Sequence, residues 1–279
     1  ANTEVKVSFT ELPPGSYTVK HYQEKAEGGY PAEPTETENK TGTVGTNAAY
    51  TPKTGGAYEG FTYKSNLTKV NGTVQLNGII AADNSTVVEL FYERNTVNVT
   101  FNLAGGNVSG NAGPIVKTGK YGAPLTAPAP VKTGFVFKGW DPEPPTPFLY
   151  PAADAEYTAQ WVPIYTISFG VDGTPANGTL KAEVDGNEIH TGSKVEHGKT
   201  VEFTATPSSG YEVERWTKNG KFEAGTISVY SCTVQADTDI KVAFKPFDKT
   251  YTVSRISFTM KGIAAVTNGS VGHDDNTNN

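Results

Sequence analysis

Residues 192–200 are the segment of this sequence closest to a nucleotide-binding motif. They read Gly-Ser-Lys-Val-Glu-His-Gly-Lys-Thr. A phosphate-binding P-loop has four residues between its two glycines and a helix after its Lys-Thr pair. Here five residues intervene, and residues 201–205 alternate as a strand does, so no helix N-terminus would face a phosphate. The segment is predicted to be a turn before a strand.

Histidine and cysteine offer little metal or nucleophile chemistry. His21, His190, His197 and His273 are spread along the chain. His190 and His197 could meet across a turn, but two imidazoles without a recognisable third ligand are more often solvated on loops. Cys232 is the one cysteine, which excludes an intrachain disulfide and a cysteine-based zinc site. We expect no metal and no cofactor, and we interpret Cys232 as a structural thiol.

Paired carboxylates are the remaining candidates for acid–base catalysis. Three pairs are close in sequence: Asp141 with Glu143, Asp237 with Asp239, and Asp274 with Asp275. Each pair lies beside turn residues, where backbone hydrogen bonding alone selects aspartate. A calcium role for the middle pair stays open, although no EF-hand loop is present. No Gly-x-Ser-x-Gly motif occurs either. A catalytic function is the weakest hypothesis, and we expect a non-catalytic protein.

Aromatic residues have two interpretations, as core residues or as stacking surfaces for sugar rings. Tryptophans at a repeated position favour packing, and the predicted core residues are Phe61, Phe135, Trp140, Trp161, Tyr211 and Trp216. Four tyrosines beside or near Gly or Pro leave both interpretations open, and the candidate glycan-binding residues are Tyr50, Tyr58, Tyr121 and Tyr150.

A repeated motif indicates the elements that would position these residues. Residues 134–140 read Gly-Phe-Val-Phe-Lys-Gly-Trp, and residues 210–216 read Gly-Tyr-Glu-Val-Glu-Arg-Trp, seventy-six positions later. A fainter copy begins at Gly60. Each copy has a glycine that can turn the chain, followed by aromatic or β-branched residues on one face of a strand. A repeat of this length in 279 residues predicts three small modules.

Composition favours strands and restricts the class of partner. With 30 Gly, 18 Pro and little Leu or Met, the chain is predicted to be mainly β with short strands and tight turns. A net charge of −6 with interspersed signs provides no basic stripe for nucleic acid. No apolar run is long enough to span a membrane. We expect a monomer, and a chain that is a piece of a longer protein.

The predicted boundaries follow the repeat. The first unit is 17–95, the second 96–163 and the third 164–247, with a closing strand plus linker at 1–16 and a partial repeat or tail at 248–279. Residues 3–9 resemble 238–244, and 256–271 resemble 167–180, so both termini are predicted to be half repeats. We also predict linkers at 12–15, at Pro163 and at 246–248, and an exposed excursion over 33–40.

The units resemble known surface-protein repeats. The first, "YTVKHYQ…GTVGTNAAY…YEGFTY…NSTVVELFYER", resembles the mucin-binding-protein (MucBP) repeat of Gram-positive surface proteins. The second, "VTFNLAGG…KYGAPLTAPAPVKTGFVFKGWDPE…DAEYTAQW", resembles the internalin B-repeat, also called the Listeria and Bacteroides repeat. The third, "YTISFGVDG…GKTVEFTATPSSGYEVERWTKNG…DTDIKVAF", resembles a divergent member of that family.

The resemblance implies β-grasp-like modules with little or no helix, from extracellular adhesins and internalins. The predicted fold is therefore a tandem, elongated array of small β-grasp-like or β-sandwich-like modules. The expected function is an adhesin stalk on a bacterial surface or cell wall that contacts host glycoprotein, mucin or another glycan. The alternative is a carbohydrate-binding accessory module of a secreted glycan-active enzyme.

Overall fold

The computed structural model describes residues 4–6 and 13–248 of the chain. Within this part the protein is mainly β, with eighteen strands, 3-10 turns at Gly56–Tyr58 and Ser65–Leu67, and no α-helix. None of these residues forms a helix long and apolar enough to cross a membrane. The predicted half repeats lie outside the described residues, apart from 4–6, as do His273, Asp274 and Asp275.

The first unit is one sheet with strand order β2-β1-β6-β4-β5, and β3 also pairs with β6. Its strands are β1 Pro14–Gln23, β2 Glu36–Thr43, β3 Phe61–Tyr63, β4 Lys69–Val70, β5 Thr73–Val74 and β6 Val87–Arg94.

The second and third units share a long strand, β10. The second unit contains β7 Thr96–Asn102, β8 Ile115–Lys120, β9 Phe135–Asp141 and the first half of β10 Ala155–Asp172. The third unit adds β11 Gly178–Val184, β12 Asn187–Ile189, β13 Ser193–Glu196, β14 Thr200–Pro207, β15 Tyr211–Lys218, β16 Lys221–Ala224, β17 Val229–Thr233 and β18 Thr238–Pro246.

The three units share one arrangement of strands. In each, the opening strand pairs in parallel with the closing strand: β1 with β6, β7 with β10, and the second half of β10 with β18. In each, the strand of the repeated motif pairs antiparallel with that closing strand: β3 with β6, β9 with β10, and β15 with β18. The sequence repeat therefore corresponds to a structural repeat.

The glycine of each motif copy turns the chain into its strand. Gly60, Gly134 and Gly210 have φ of 79°, 78° and 82°, a conformation that strongly favours glycine. The ladders of β9 and β15 each shift register once, so that Lys138 and Glu214 are the unpaired residues. These two residues are also seventy-six positions apart, which places a β-bulge at the same point of both copies.

Among the described residues, three hydrophobic clusters form, one in each unit. The first is built around Val19, Leu90 and Tyr92, and the second around Phe101 and Trp140. In the third unit, β11, β12, β14 and β17 form a second sheet that contributes to one cluster with β10, β15 and β18. This unit is β-sandwich-like, and its core includes the fully buried Trp216.

The predicted linker at Pro163 is wrong, because β10 runs through it without interruption. Pro163 is the last residue that pairs with β9, and Ile164 is the first that pairs with β13. The strand exchanges partners at this point, so the missing proline N–H interrupts neither ladder. Between the first two units, a single residue, Asn95, separates β6 from β7.

Two other local predictions are also wrong. Residues 33–40 are not an exposed excursion, because most of them belong to β2, which pairs with β1 over eight residues. The polar side chains of β2 hid its alternation between half-buried and exposed residues. The linker predicted at 12–15 is shorter, since β1 begins at Pro14, and proline is accepted as the first residue of a strand.

Candidate functional site

A partly buried polar cluster in the first unit brings several ionisable groups into contact around His21. His21 on β1 is fully buried. Its Nδ1 lies 2.8 Å from the hydroxyl of Tyr92 on β6, and its Nε2 lies 3.1 Å from Oε1 of Glu38 on β2. The Lys53 side chain contacts Glu36 and Glu38. We call these residues, with Lys40 and Tyr58, the His21 cluster.

The partners of His21 fix its tautomer. Burial is the largest effect on the His21 pKa and lowers it, although nearby Glu38 opposes this. The neutral ring has one N–H, and a carboxylate only accepts hydrogen bonds. Nε2–H therefore donates to Glu38, and Nδ1 accepts from the Tyr92 hydroxyl. That hydroxyl also accepts the backbone N–H of Lys53 at 3.0 Å.

The carboxylates of the cluster are held ionised. Hydrogen bonds from Lys53 and Lys40 lower the pKa of Glu38 to about 2. The Lys53 ammonium likewise lowers the pKa of Glu36. The Tyr58 hydroxyl donates to Glu36 at 3.0 Å, and burial with this bond raises the pKa of Tyr58.

The buried polar atoms of the cluster are all engaged within the protein. Among the described residues, every buried side-chain nitrogen and oxygen has a hydrogen-bond partner. The connections of the cluster run from β2 through Lys53 and Tyr58 of the connecting segment to Tyr92 of β6. The arrangement anchors that segment over the sheet edge, a structural role.

The junction between the first two units is a second concentration of charge. Glu24, 8 % exposed, accepts the backbone N–H of Arg94 at 2.9 Å and the Lys120 ammonium at 2.5 Å. The Arg94 guanidinium donates to the Tyr121 carbonyl at 2.7 Å. Gly60 lies against the Tyr121 ring, which a Cβ at that position would overlap. The Lys120–Glu24 ion pair and the Arg94–Tyr121 hydrogen bond join the first unit to the second.

A groove of about 440 Å³ borders the same junction. It is lined by Thr62, Lys64, Glu93, Arg94, Asn95, Thr96, Val97, Ala152, Ala153 and Asp154. Its charged members are engaged with other residues: Lys64 pairs with Glu93 at 2.6 Å, and Asp154 accepts the Asn98 N–H at 2.7 Å.

The junction between the second and third units has fewer charges. Lys138 pairs with Glu196 at 2.7 Å, and the backbone N–H of His197 donates to the Pro163 carbonyl at 2.8 Å. The Tyr165 and His197 rings meet edge to face at 5.9 Å. Lys138 is the bulge residue of β9, so the bulge directs this side chain toward the next unit.

The four candidate glycan-binding tyrosines lie in different surroundings. Tyr58 is 5 % exposed, and its ring is therefore not available as a sugar platform. Tyr50 packs on the same core and donates to the Leu76 carbonyl at 3.0 Å. Tyr121 belongs to the junction described above, and Tyr150 packs on the second core, against Gly119. The backbone N–H of Gly122, which follows Tyr121, donates to the Tyr150 carbonyl at 2.8 Å, so Tyr121 and Tyr150 are neighbours in the fold.

The predicted core aromatics differ in burial. Trp216 and Trp140 are buried, at 0 % and 8 % exposure. Phe61, Trp161 and Tyr211 are half-buried and pack against the cores of their units. Phe135, also half-buried, lies outside these clusters at the start of β9, with the Lys132 ammonium 4.3 Å from its ring centroid.

The other candidates from the sequence have structural surroundings. Lys199 of the P-loop-like segment pairs with Asp185 at 2.8 Å, and β14 follows it. Asp237 accepts the Thr166 N–H at 2.7 Å, and Asp239 pairs with Lys241. Cys232 is buried, which raises the pKa of its thiol.

Metal ligands do not converge in this part of the protein. Residues 4–6 and 13–248 contain no group of three or more His, Cys, Asp or Glu placed to hold a metal ion. His190 and His197 therefore lack the further ligands that a metal site would need.

Sequence spacing does not reveal the His21 cluster as a whole, because its members are distributed from position 21 to position 92. The alternation of Glu36, Glu38 and Lys40 was the one usable hint, since it places three charges on one face of a strand.

Comparison with known families bears on the third unit. Residues 176–248 match the family model of the divergent InlB B-repeat domain. The third unit therefore contains a B-repeat-like module, which confirms that part of the predicted resemblance. No curated protein matches the chain. The resemblances of the first unit to the MucBP repeat and of the second to the Listeria repeat stay predictions.

Proposed function

We propose that this chain is a non-catalytic, load-bearing spacer within an extracellular surface protein of a bacterium. The B-repeat match supports the class of protein. The pairing of the opening and closing strands carries the mechanical part of the proposal. As these strands are parallel neighbours in every unit, tension along the chain pulls them past each other lengthwise. All hydrogen bonds of the ladder then share the load, instead of opening one after another.

The ladders differ in length, which predicts an order of failure. β1–β6 and β10–β18 each pair over six residues, whereas β7–β10 pairs over four. The second unit, the shortest of the three, should therefore unfold at the lowest force. At about 3.4 Å per residue, it would release roughly 230 Å of chain, compared with roughly 290 Å for the third unit.

Single-molecule pulling through the two termini tests this function. Three separate unfolding events are expected, the first with the shortest length increment. One event, or three events at forces no higher than those measured when the same units are pulled across their strands, would refute a load-bearing role.

A proline pair provides the matched variants. The Thr18 N–H donates to the carbonyl of Thr86, the residue before β6, at 3.0 Å. Thr18→Pro therefore removes a hydrogen bond of the loaded β1–β6 ladder. Asn39→Pro introduces a proline on β2, outside that ladder. The first variant should lower the unfolding force of the first unit, and the second should leave it unchanged.

For the adhesive part of the function, the ligand class we propose is a host glycoprotein or mucin glycan, on the resemblance of the first unit. Glycan-array binding that is lost in Tyr50→Ala or Tyr121→Ala, with circular dichroism unchanged, would support this class. If the wild-type protein binds no glycan on the array, the adhesive part of the proposal is refuted and only the spacer function remains.

A further inference from the structure

We infer that β2 is a self-complementary edge through which two copies of this chain associate, antiparallel and about a two-fold axis at Asn39. Among the described residues, β2 pairs with β1 and with no other strand. It is eight residues long and regular. Its other side is therefore an open ladder of backbone donors and acceptors, the feature that strand addition uses.

The hydrogen-bond pattern shows which residues face outward. The Val44 N–H donates to the Pro13 carbonyl in continuation of the β1–β2 register. Directions alternate along a strand, so even-numbered residues of β2 bond to β1. Thr37, Asn39 and Thr41 thus direct their N–H and C=O groups outward. These N–H groups meet no acceptor in the part of the chain that the structure describes, and all three residues are exposed.

The sequence of this edge complements itself. Residues 37–41 read Thr-Glu-Asn-Lys-Thr. When a second copy pairs antiparallel about Asn39, Thr37 opposes Thr41, Glu38 opposes Lys40, and Asn39 opposes itself. Opposite charges and paired threonines across strands are stabilising. Such pairing is isologous, as most soluble homodimers are.

Charge also fixes the register. Moving the two-fold axis by one residue would oppose Glu38 to Glu38, or Lys40 to Lys40, and like charges directly opposite each other are destabilising. In the favoured register the outward-facing residues form hydrogen-bonded pairs. Glu38 and Lys40 then fall at non-hydrogen-bonded positions, where side chains approach most closely.

Both charges remain accessible for this contact. The Glu38 and Lys40 side chains are 24 % and 31 % exposed and already pair within one chain at 3.0 Å. Association would extend this pair into an alternating set of four charges. The same charges discourage a foreign hydrophobic strand from adding to the edge. An interface of one strand per copy is small, so the association should be weak in solution and stronger between arrays on two surfaces.

Sedimentation velocity of the full chain over a wide concentration range is the first test. We expect a concentration-dependent dimer. Asn39→Pro removes the central N–H donor of both copies without touching the β1 ladder, and it should weaken association at least about tenfold. Asn39→Ala keeps the donor and should associate like the wild type. A dimer that persists in Asn39→Pro, or a monomer at every concentration, would overturn the proposal.

Cysteine crosslinking tests the register and does not depend on the proline variant. Opposed residues in a hydrogen-bonded pair lie about 5.5 Å apart between Cα atoms, within disulfide range. Asn39→Cys should oxidise to a covalent dimer, whereas Thr37→Cys alone should not, because the two copies of residue 37 would lie about 14 Å apart. Mixing Thr37→Cys with Thr41→Cys should restore crosslinking.

Wild-type protein, whose buried Cys232 is the only thiol, is the control. Efficient self-crosslinking of Thr37→Cys would refute the two-fold axis at Asn39. Slow hydrogen exchange of the Asn39 amide in a monomeric sample would show that another part of the chain covers the edge, and this too would overturn the proposal.

Discussion

His21 shows how the first unit stabilises a polar group in its interior. A buried donor or acceptor without a partner costs about 1–3 kcal/mol, and here both ring nitrogens have one. Desolvation keeps the ring neutral, and the Glu38 carboxylate accepts a hydrogen bond from its Nε2–H. Because Glu38 also contacts Lys53 and Lys40, the histidine ties strand β1 to the charged edge strand. In the first unit, polar contacts therefore add to the apolar packing of its hydrophobic cluster.

The first unit should lose stability on acidification. The Glu38 pKa is lowered in the folded state, so its contribution is complete above the unfolded value of 4.5 and is lost as the pH falls toward about 2. After allowance for solvent screening, this amounts to about 1 kcal/mol. The His21 pKa is also lowered, so protonation of the unfolded chain begins to destabilise the fold below about pH 6.5.

Glu38→Gln separates these two effects. The variant should be less stable than the wild type at pH 7, and its free energy of unfolding should fall less between pH 4.5 and pH 2. The loss that begins near pH 6.5 should remain, because the pKa of His21 in the unfolded chain sets its onset and the substitution does not alter that value. Urea unfolding over this pH range measures both windows. A variant with the wild-type slope below pH 4.5 would show that Glu38 is not the responsible group.

Among the structural elements, the motif glycine before β3 has a role that its φ alone does not explain. Gly60 and Gly72 have nearly equal φ, 79° and 77°. Nothing lies within 4 Å of a Cβ built at Gly72, whereas one at Gly60 would overlap the Tyr121 ring of the next unit. The turn at Gly60 therefore also creates space for the junction between units.

Gly60→Ala and Gly72→Ala form a matched pair that tests this role. Both should destabilise the first unit by about 1 kcal/mol through the left-handed backbone conformation. Gly60→Ala should in addition displace Tyr121 and widen the distribution of distances between spin labels on the first and second units. Gly72→Ala should leave that distribution narrow. Equal distributions in the two variants would refute a steric role for Gly60 in the junction.

Sequence patterns predicted the elements that rest on local rules. The glycine-aromatic motif located β3, β9 and β15. Asp-Gly is a dipeptide typical of type I′ hairpin turns, and Asp185-Gly186 forms such a turn, with φ of 51° and 76°. β2 was missed because its side chains are nearly all polar or charged, so no apolar alternation marks it as a strand. Pairing with β1 and the contacts of the His21 cluster stabilise it. The continuity of β10 was missed because proline usually ends a strand, and the exchange of partners at Pro163 is a tertiary feature.

The candidate sites were less predictable than the strands. The His21 cluster joins residues brought together by sheet order, which sequence spacing does not reveal. For Tyr58 the sequence left a core role and a glycan-binding role open, and the structure buries the residue. Aromatic residues next to glycine are common both on surfaces and over cores, so local context could not separate the two.

In the molecule as a whole, the closing strand of one unit leads directly into the opening strand of the next. β10 performs both roles in one strand, and β6 reaches β7 across one residue. A unit of this kind repeats without linkers, because its first and last strands are adjacent and parallel. Under the load-bearing function that we propose, tension entering one unit would pass along these strands to the next. That the array is elongated stays a prediction.

Separate cores within a continuous backbone predict selective unfolding. Trp216 is fully buried in the third unit and donates its indole N–H to the Ile227 carbonyl at 2.8 Å. Trp216→Ala should cost about 3–5 kcal/mol, comparable to the whole stability of so small a unit. Phe222→Ala is the control, because Phe222 lies in the same unit but is 68 % exposed, and its loss should cost less than about 0.5 kcal/mol.

Hydrogen exchange distinguishes selective from global unfolding. In Trp216→Ala, protection should fall in β11–β18, whereas β1 and β6 keep wild-type rates because their cluster shares no residue with that of Trp216. The effect on the first half of β10 measures how far a defect travels through the shared strand. If β1 and β6 lost protection together with the third unit, the units would unfold as one cooperative domain. A spacer whose units unfold one at a time under load would then be excluded.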